Sequence, residues 1–240
     1  MTVLLALDTS TESMALALSS PQGLWLFEGE GGARASEALL PEVQALLARA
    51  GLALGAVDAI GFGQGPGAFT GLRTACAVAQ GLAFGAAKPV LALDSLLLVA
   101  EDARQQAEAA GEPLPASVWV AMDARMGEVY GACYAPQADG GWRVESAPAL
   151  YGLEALLARW RATPPAALCG SALEVFPELS GQAPRAWPRT RSRAAALANL
   201  AEAAWARGER LAPDAAQPLY VRDKVALTTE ERLAARAGAA

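Results

Sequence analysis

The chain has 240 residues, 53% of them hydrophobic, and a formal net charge of −6. That is ample for a packed core in one large domain or two lobes, and the acidic balance argues against a protein whose main task is to grip nucleic acid, though not against a subunit whose partner does the gripping. There is no histidine, which removes imidazole acid–base chemistry, histidine metal sites, and Ser-His or Cys-His nucleophile pairs.

Cys76, Cys133 and Cys169 are far apart in apolar surroundings. They read as buried free thiols, which suits a reducing cytoplasm. The N-terminus enters a strand pattern with no basic leader, and no apolar run spans a bilayer without charges or glycine breaks. A cytoplasmic protein with no membrane contact is expected.

In chain order, Val3 to Leu7, Met14 to Leu18 and Leu24 to Glu28 are short apolar runs separated by turn residues. They predict a three-stranded antiparallel meander. Ser36 to Ala50 carries Leu39, Leu40, Val43, Leu46 and Leu47 at helical spacing, with Ser36 as N-cap, Gly51 as stop and Pro41 as a kink. Val57 to Phe62 predicts the next strand. It runs into Gly61 to Arg73, where five of thirteen residues are glycine. A glycine-rich turn entering a helix can present backbone N–H groups to an anion, or can be a tight turn that needs glycine for its backbone. No Gly-Lys-Ser/Thr follows, so it is not a P-loop, and no acidic residue follows at the ribose distance.

The helix predicted over Gly71 to Ala87 has only Arg73, Thr74 and Gln80 as polar residues. Such a helix must be covered on more than one side. Ala77, Gly81 and Gly85 form a stripe along which another backbone can approach, either within the chain or from a partner. Val90 to Leu93 predicts a strand, Asp94 to Ala110 a helix, and Gly111 to Pro115 a lobe boundary.

Val118 to Asp123 then repeats the pattern of Val3 to Asp8, and each is followed by a turn and another strand, Glu128 to Tyr134 in the second case. Two strand–Asp–turn–strand units predict two lobes of similar topology. Trp142 to Leu150 predicts a strand, Leu153 to Arg161 a helix, Ala167 to Cys169 a strand and Arg193 to Arg207 a helix. Residues 1–110 are expected to form the first lobe, 111–215 a smaller second lobe, and 216–240 a tail, polar and frayed at its end, that packs back on the first lobe.

Four stretches occur in order: Ala6 to Glu12 (ALDTSTE), Gly65 to Arg73 (GPGAFTGLR), Met122 to Tyr130 (MDARMGEVY) and Pro218 to Arg222 (PLYVR). Together they resemble the TsaB (YeaZ) family over most of the chain. The resemblance implies an α/β, actin-like ATPase fold of the sugar kinase, Hsp70 and actin superfamily, with two ribonuclease H-like lobes. It implies a small, non-catalytic relative of TsaD. With TsaD and TsaE, such proteins help form threonylcarbamoyladenosine beside the anticodon of tRNAs reading codons that begin with A. It implies that first-lobe helices bind a TsaD-like transferase, or a second copy when alone, and that tRNA is met only through the complex. The interface expected on this basis comprises Leu39, Leu40, Val43, Leu46, Leu47, Arg73, Thr74, Val78 and Leu82. Gly65, Pro66, Gly67, Phe69, Thr70, Gly71, Asp123, Arg125 and Glu128 are expected as structural motif residues, with Phe69 and Leu72 packing beneath the turn.

In an actin-like fold the first hairpin of each lobe grips phosphates. Asp8, Thr9, Ser10 and Thr11 form a degenerate version, with hydroxyls replacing some backbone donors. The second hairpin has Arg125 and Met126 where small residues are wanted. Arg125 is read either as a phosphate contact or as a surface ion-pair partner of Asp123 or Glu128. The TsaD relatives hold metal with two histidines before the glycine loop. The corresponding stretch here, Arg34 to Leu40, offers only Glu37, which cannot close a hard-cation site. No metal and no firmly bound cofactor are expected for this chain alone, with ATP or ADP entering only at the level of the complex. No catalytic residue is assigned. The alternative is a small-molecule kinase or ATPase built on Asp8; a glycoprotease-like hydrolase lacks a nucleophile–base pair. Arg185, Arg189, Arg191 and Arg193 around Trp187 read as a solvated loop or as an RNA contact.

Overall fold

The structure, a computed structural model, describes residues 2–222. Strands β1 (Leu4–Asp8), β2 (Ser13–Ser20) and β3 (Gly23–Glu30) form the expected antiparallel meander. Helix α1 (Ala35–Ala50) leads to β4 (Ala59–Gly65), which lies parallel to β1. Helix α2 (Phe69–Ala86) leads to β5 (Val90–Asp94), parallel to β4, and α3 (Ser95–Ala109) follows. The first sheet therefore runs β3-β2-β1-β4-β5.

The second half repeats this plan. Strands β6 (Val118–Asp123), β7 (Glu128–Pro136) and β8 (Trp142–Gly152) form a meander. Helix α4 (Leu153–Ala162), β9 (Leu168–Cys169), α5 (Ala172–Val175), β10 (Ala186–Trp187) and α6 (Arg193–Ala206) complete it. The order β10-β9-β6-β7-β8 has the same topology as the first sheet, with the parallel members shortened to two residues each. Strand β10, of two residues, and helix α5, of four, are too short to show a period and lie in a stretch where the sequence predicts no element.

Helix boundaries moved at two points. The chain enters α1 through a 3-10 turn, Gly32–Arg34, so α1 begins at Ala35 and Ser36 lies inside it rather than capping it. Helix α2 begins at Phe69, two residues before the expected Gly71. Asp94 caps α3 as a short acceptor should, taking Leu96 N–H at 2.9 Å and Leu97 N–H at 3.2 Å.

The closing helix of each half packs on the other half's sheet. Leu96, Val99, Ala100 and Ala103 of α3 join Val118, Val120, Ala132 and Tyr134 of the second sheet. Leu197, Leu200, Ala201 and Ala204 of α6 join Leu4, Ala6, Ala15 and Ala17 of the first. Chain position alone assigned 193–206 to the second lobe; its apolar face is instead buried on the first sheet. The two buried acids of α3 fasten the exchange. Glu101 accepts from Trp142 Nε1 at 2.9 Å and Asn199 Nδ2 at 2.8 Å, and Asp102 accepts from Ser192 N–H at 2.8 Å. These bonds satisfy carboxylates that burial would otherwise penalise. On the opposite face of the first sheet, α1 and α2 cover Leu5, Leu7, Leu16, Leu18, Ile60 and Phe62. Cys76, Cys133 and Cys169 are buried free thiols.

Candidate functional site

The glycine stretch is pressed against the turn that follows β1. A Cβ on Gly63 would stand 1.7 Å from Asp8 Oδ2, one on Gly67 2.4 Å from Ser10 O, and one on Gly71 1.8 Å from Thr9 O. No side chain fits any of these gaps, so three glycines spaced four residues apart are what let strand end and helix start touch. Hydrogen bonds seal the contact: Ala68 N–H donates to Ser10 O at 2.8 Å, and Thr9 Oγ1 donates to Gly71 O at 2.6 Å. Of the two readings of Gly61 to Arg73, this is the tight turn. Leu72 is buried beneath it as expected. Phe69 is not; it lies at the surface under the Arg73 guanidinium, 3.8 Å from ring centroid to Cζ. Thr70 O accepts from Thr74 Oγ1 at 3.0 Å within α2.

Asp8 is fully buried at the end of β1. Its Oδ1 accepts from Arg193 Nη2 at 2.8 Å, Ser10 Oγ at 2.9 Å and Ser10 N–H at 3.3 Å. Its Oδ2 accepts from Ser95 Oγ at 3.0 Å, and Ser95 Oγ in turn accepts from Gly65 N–H at 3.1 Å. Thr11, the half-buried member of the turn, bonds the backbone of Ser13 at 3.2 Å. A kinase built on Asp8 would need that carboxylate open to substrate or cation, and here both oxygens are engaged by the chain. Among the described residues, no group of three or more Cys, Asp or Glu stands together to hold a metal ion.

A cleft of about 520 Å³ lies between the two hairpin turns, with Ser10, Thr11 and Pro66 on one wall and Met122, Asp123 and Arg125 on the other. The second turn holds Arg125 and Met126 at φ 63° and 57°. Arg125 donates to Asp123 Oδ2 at 3.2 Å and to Glu12 Oε1 at 3.3 Å, joining the two hairpins by exposed ion pairs. Glu128, the other expected partner of Arg125, pairs instead with Arg222 at 2.7 Å.

The tail crosses one side of this cleft. Ala216 O accepts from Gln80 Nε2 at 3.0 Å, and Leu219 N–H donates to Gln64 O at 2.7 Å. Tyr220 lies 5.4 Å from Phe69 and accepts from Arg73 Nε at 2.9 Å. Arg222 then reaches Ala124 O at 2.8 Å on the second lobe. Arg73 therefore holds the tail. Nothing near Arg73 in sequence pointed to Tyr220, 147 residues away. Residues 223–240 of the expected tail lie outside the described residues. The arginine cluster divides in the same way: Arg185 pairs with Glu112, Arg189 with Glu174 and Arg193 with Asp8, so it presents no single basic face.

The expected interface also divides. Leu39, Val43, Leu46 and Leu47 are buried in the chain's own core against the first sheet, so they cannot line an open surface. Their spacing marks the inner face of α1, which sequence alone cannot distinguish from an interface. Leu40 is exposed, as is Arg73, while Thr74, Val78 and Leu82 are half-buried. The outer face of α2 adds Ala77, Gly81 and Gly85, all exposed, and Phe84, whose side chain is 83% exposed. Apart from neighbouring backbone of α2 itself, no described residue comes within 4 Å of a Cβ built on Gly81 or Gly85.

Two sheets of one topology facing a common cleft, with a hairpin turn from each at its mouth, define an actin-like ATPase fold. Comparison with known proteins narrows this. The chain is 31% identical over 233 residues to the tRNA threonylcarbamoyladenosine biosynthesis protein TsaB of Escherichia coli, across 93% of this chain and 96% of that one. The chain belongs to the TsaB (YeaZ) family. The Haemophilus influenzae protein of the same name is 42% identical over 134 residues, which span 53% of this chain and 51% of that one. The solved structure of YeaZ from Pseudomonas aeruginosa superposes with a TM-score of 0.77 at 38% identity, covering 92% of this chain and all of that one. A second structure from the same organism, described as similar to peptidase YEAZ, gives 0.81 at the same identity and the same coverage. Residues 32–139 match the family model for TsaD, the tRNA N6-adenosine threonylcarbamoyltransferase.

Proposed function

We propose that this chain is a scaffold subunit in the formation of threonylcarbamoyladenosine on tRNA. It docks on a TsaD-like transferase and activates it, working with a TsaE-like ATPase, and carries no transfer chemistry of its own. The observation that carries this reading is the outer face of α2. Phe84 is 83% exposed there beside the open Ala77, Gly81 and Gly85. An exposed Phe next to a strip of small residues is the kind of anchor an interface buries at its centre. Leu40, Val78 and Leu82 extend the face; the four inward leucine and valine positions of α1 are left out of it.

When no transferase is present the same face pairs two copies of the chain. ATP or ADP enters at the level of the complex, and tRNA is contacted there. The test is reconstitution. Given threonylcarbamoyl-adenylate and tRNA, the purified chain should form no modified tRNA, and product should appear when a TsaD-like and a TsaE-like subunit are added. Modification by the chain alone would overturn the reading.

A further inference from the structure

The fold class ordinarily places a nucleotide phosphate and its divalent cation between the two hairpin turns, and the residues of this chain do not fit that group. We propose that Arg193 is a tethered cation: its guanidinium takes the place of an external cation at Asp8, so that the first turn is ordered by the chain itself and closed to a metal–phosphate ligand.

Three observations meet here. The first is charge. Asp8 is 0% exposed and Arg193 4% exposed, with 2.8 Å between Oδ1 and Nη2. A buried carboxylate at a strand end needs a compensating positive charge and bonds to its remaining lone pairs. Arg193 supplies the charge, and Ser10 and Ser95 supply the bonds. Nη2 also donates to Ser10 Oγ at 3.1 Å, so one nitrogen serves both members of the turn.

The second is space. The cleft between the two hairpin turns is open, but on its glycine-facing side the first turn touches the stretch that enters α2 and leaves an anion no room beside the backbone donors there. A Cβ on Gly67 would already lie 2.4 Å from Ser10 O, and one on Gly71 1.8 Å from Thr9 O. The N–H of Ala68, at the entry to α2, is spent on Ser10 O, and the Thr9 hydroxyl on Gly71 O. Donors that would meet a phosphate are thus used inside the chain.

The third is position. Arg193 is the first residue of α6, Ser95 the first of α3, and Asp8 the last of β1. These are the two exchanged helices and the strand beneath the cleft. One guanidinium therefore joins the segments that an external ligand would otherwise have to bring together. In the sequence Arg193 is one of four clustered arginines, and nothing beside it marks it as buried.

The experiment is chemical rescue in the full chain. Arg193→Ala should lower the thermal midpoint by roughly 10 °C, the shift expected when one partner of a buried pair is removed from a chain of this size. Millimolar ethylguanidinium chloride should recover part of that loss saturably; sodium chloride at equal ionic strength and magnesium chloride should not. Wild type should show no saturable midpoint shift with magnesium and ADP. Should Arg193→Ala fail to fold, Asp8→Asn with Arg193→Met decides instead: coupled groups leave the double variant no less stable than Asp8→Asn alone. The proposal is overturned by a loss in Arg193→Ala of under 2 °C, by rescue with magnesium but not ethylguanidinium, by additive losses in the double variant, or by a saturable magnesium–ADP shift in wild type.

Discussion

Two glycines of α2 undergo the same substitution with opposite expected results. Gly71→Ala places a methyl 1.8 Å from Thr9 O and 2.9 Å from Thr9 C, both backbone atoms. No rotamer relieves such a contact. The start of α2 must move off the β1 turn, weakening the 2.6 Å bond from Thr9 Oγ1 to Gly71 O. Overpacking of this kind costs about 3 kcal/mol. In a chain of 240 residues that lowers the thermal midpoint by roughly 6–12 °C. Gly81→Ala meets nothing within 4 Å and sits in the same helix. It gains about 0.5–1 kcal/mol, from better helix propensity and a less flexible unfolded chain, a rise of roughly 1–4 °C. Both are read by calorimetry or by circular dichroism at the helix band on heating. If Gly71→Ala melts with wild type, or if Gly81→Ala falls as far as Gly71→Ala, the account of the glycine stretch as a close-approach device is wrong.

Asp94 gives a pH dependence. Burial pushes its carboxyl above the ordinary carboxylate range, against the bonds from Tyr134, Leu96 and Leu97 that favour the charged form. A raised folded pKa means that its contribution to stability is full below the ordinary range and is lost as pH rises through the raised value. The stability of wild type relative to Asp94→Asn should therefore fall as pH rises from the ordinary carboxylate range through that value; a difference that instead grows with pH would contradict the burial argument. Desolvation raises the thiol pKa of Cys76, Cys133 and Cys169, so all three should react with a disulfide reagent only on unfolding; fast labelling of the native chain would contradict their burial. Tyr220→Ala should release the tail from Phe69 and Arg73, read as faster amide exchange at Leu219 with the fold otherwise intact; unchanged exchange would show that the tail is held elsewhere.

The doubled topology was legible because each half opens with the same short grammar, an apolar strand ending in Asp, a turn and a second strand. Asp8 and Asp123 do end equivalent strands, β1 and β6. Long periodic elements such as α2 and α3 were legible too. What could not be read was anything set by partners distant in sequence. Arg193 pairs with Asp8 across 185 residues, and Arg73 with Tyr220 across 147. Local pattern carries no information about such pairs. The face of α1 is ambiguous in sequence for a related reason: a stripe at helical spacing shows that a face is buried, not whether the chain or a partner buries it, and here the chain's own core buries Leu39, Val43, Leu46 and Leu47.

The central claim, docking through the outer face of α2, is tested most directly by the affinity of the purified chain for a TsaD-like transferase. Phe84→Glu should leave the thermal midpoint within about 2 °C of wild type, since the side chain is 83% exposed. Losing a buried Phe anchor and placing a charge in its pocket should weaken binding at least about 30-fold by calorimetric titration. Wild-type affinity in a folded Phe84→Glu variant would contradict the claim.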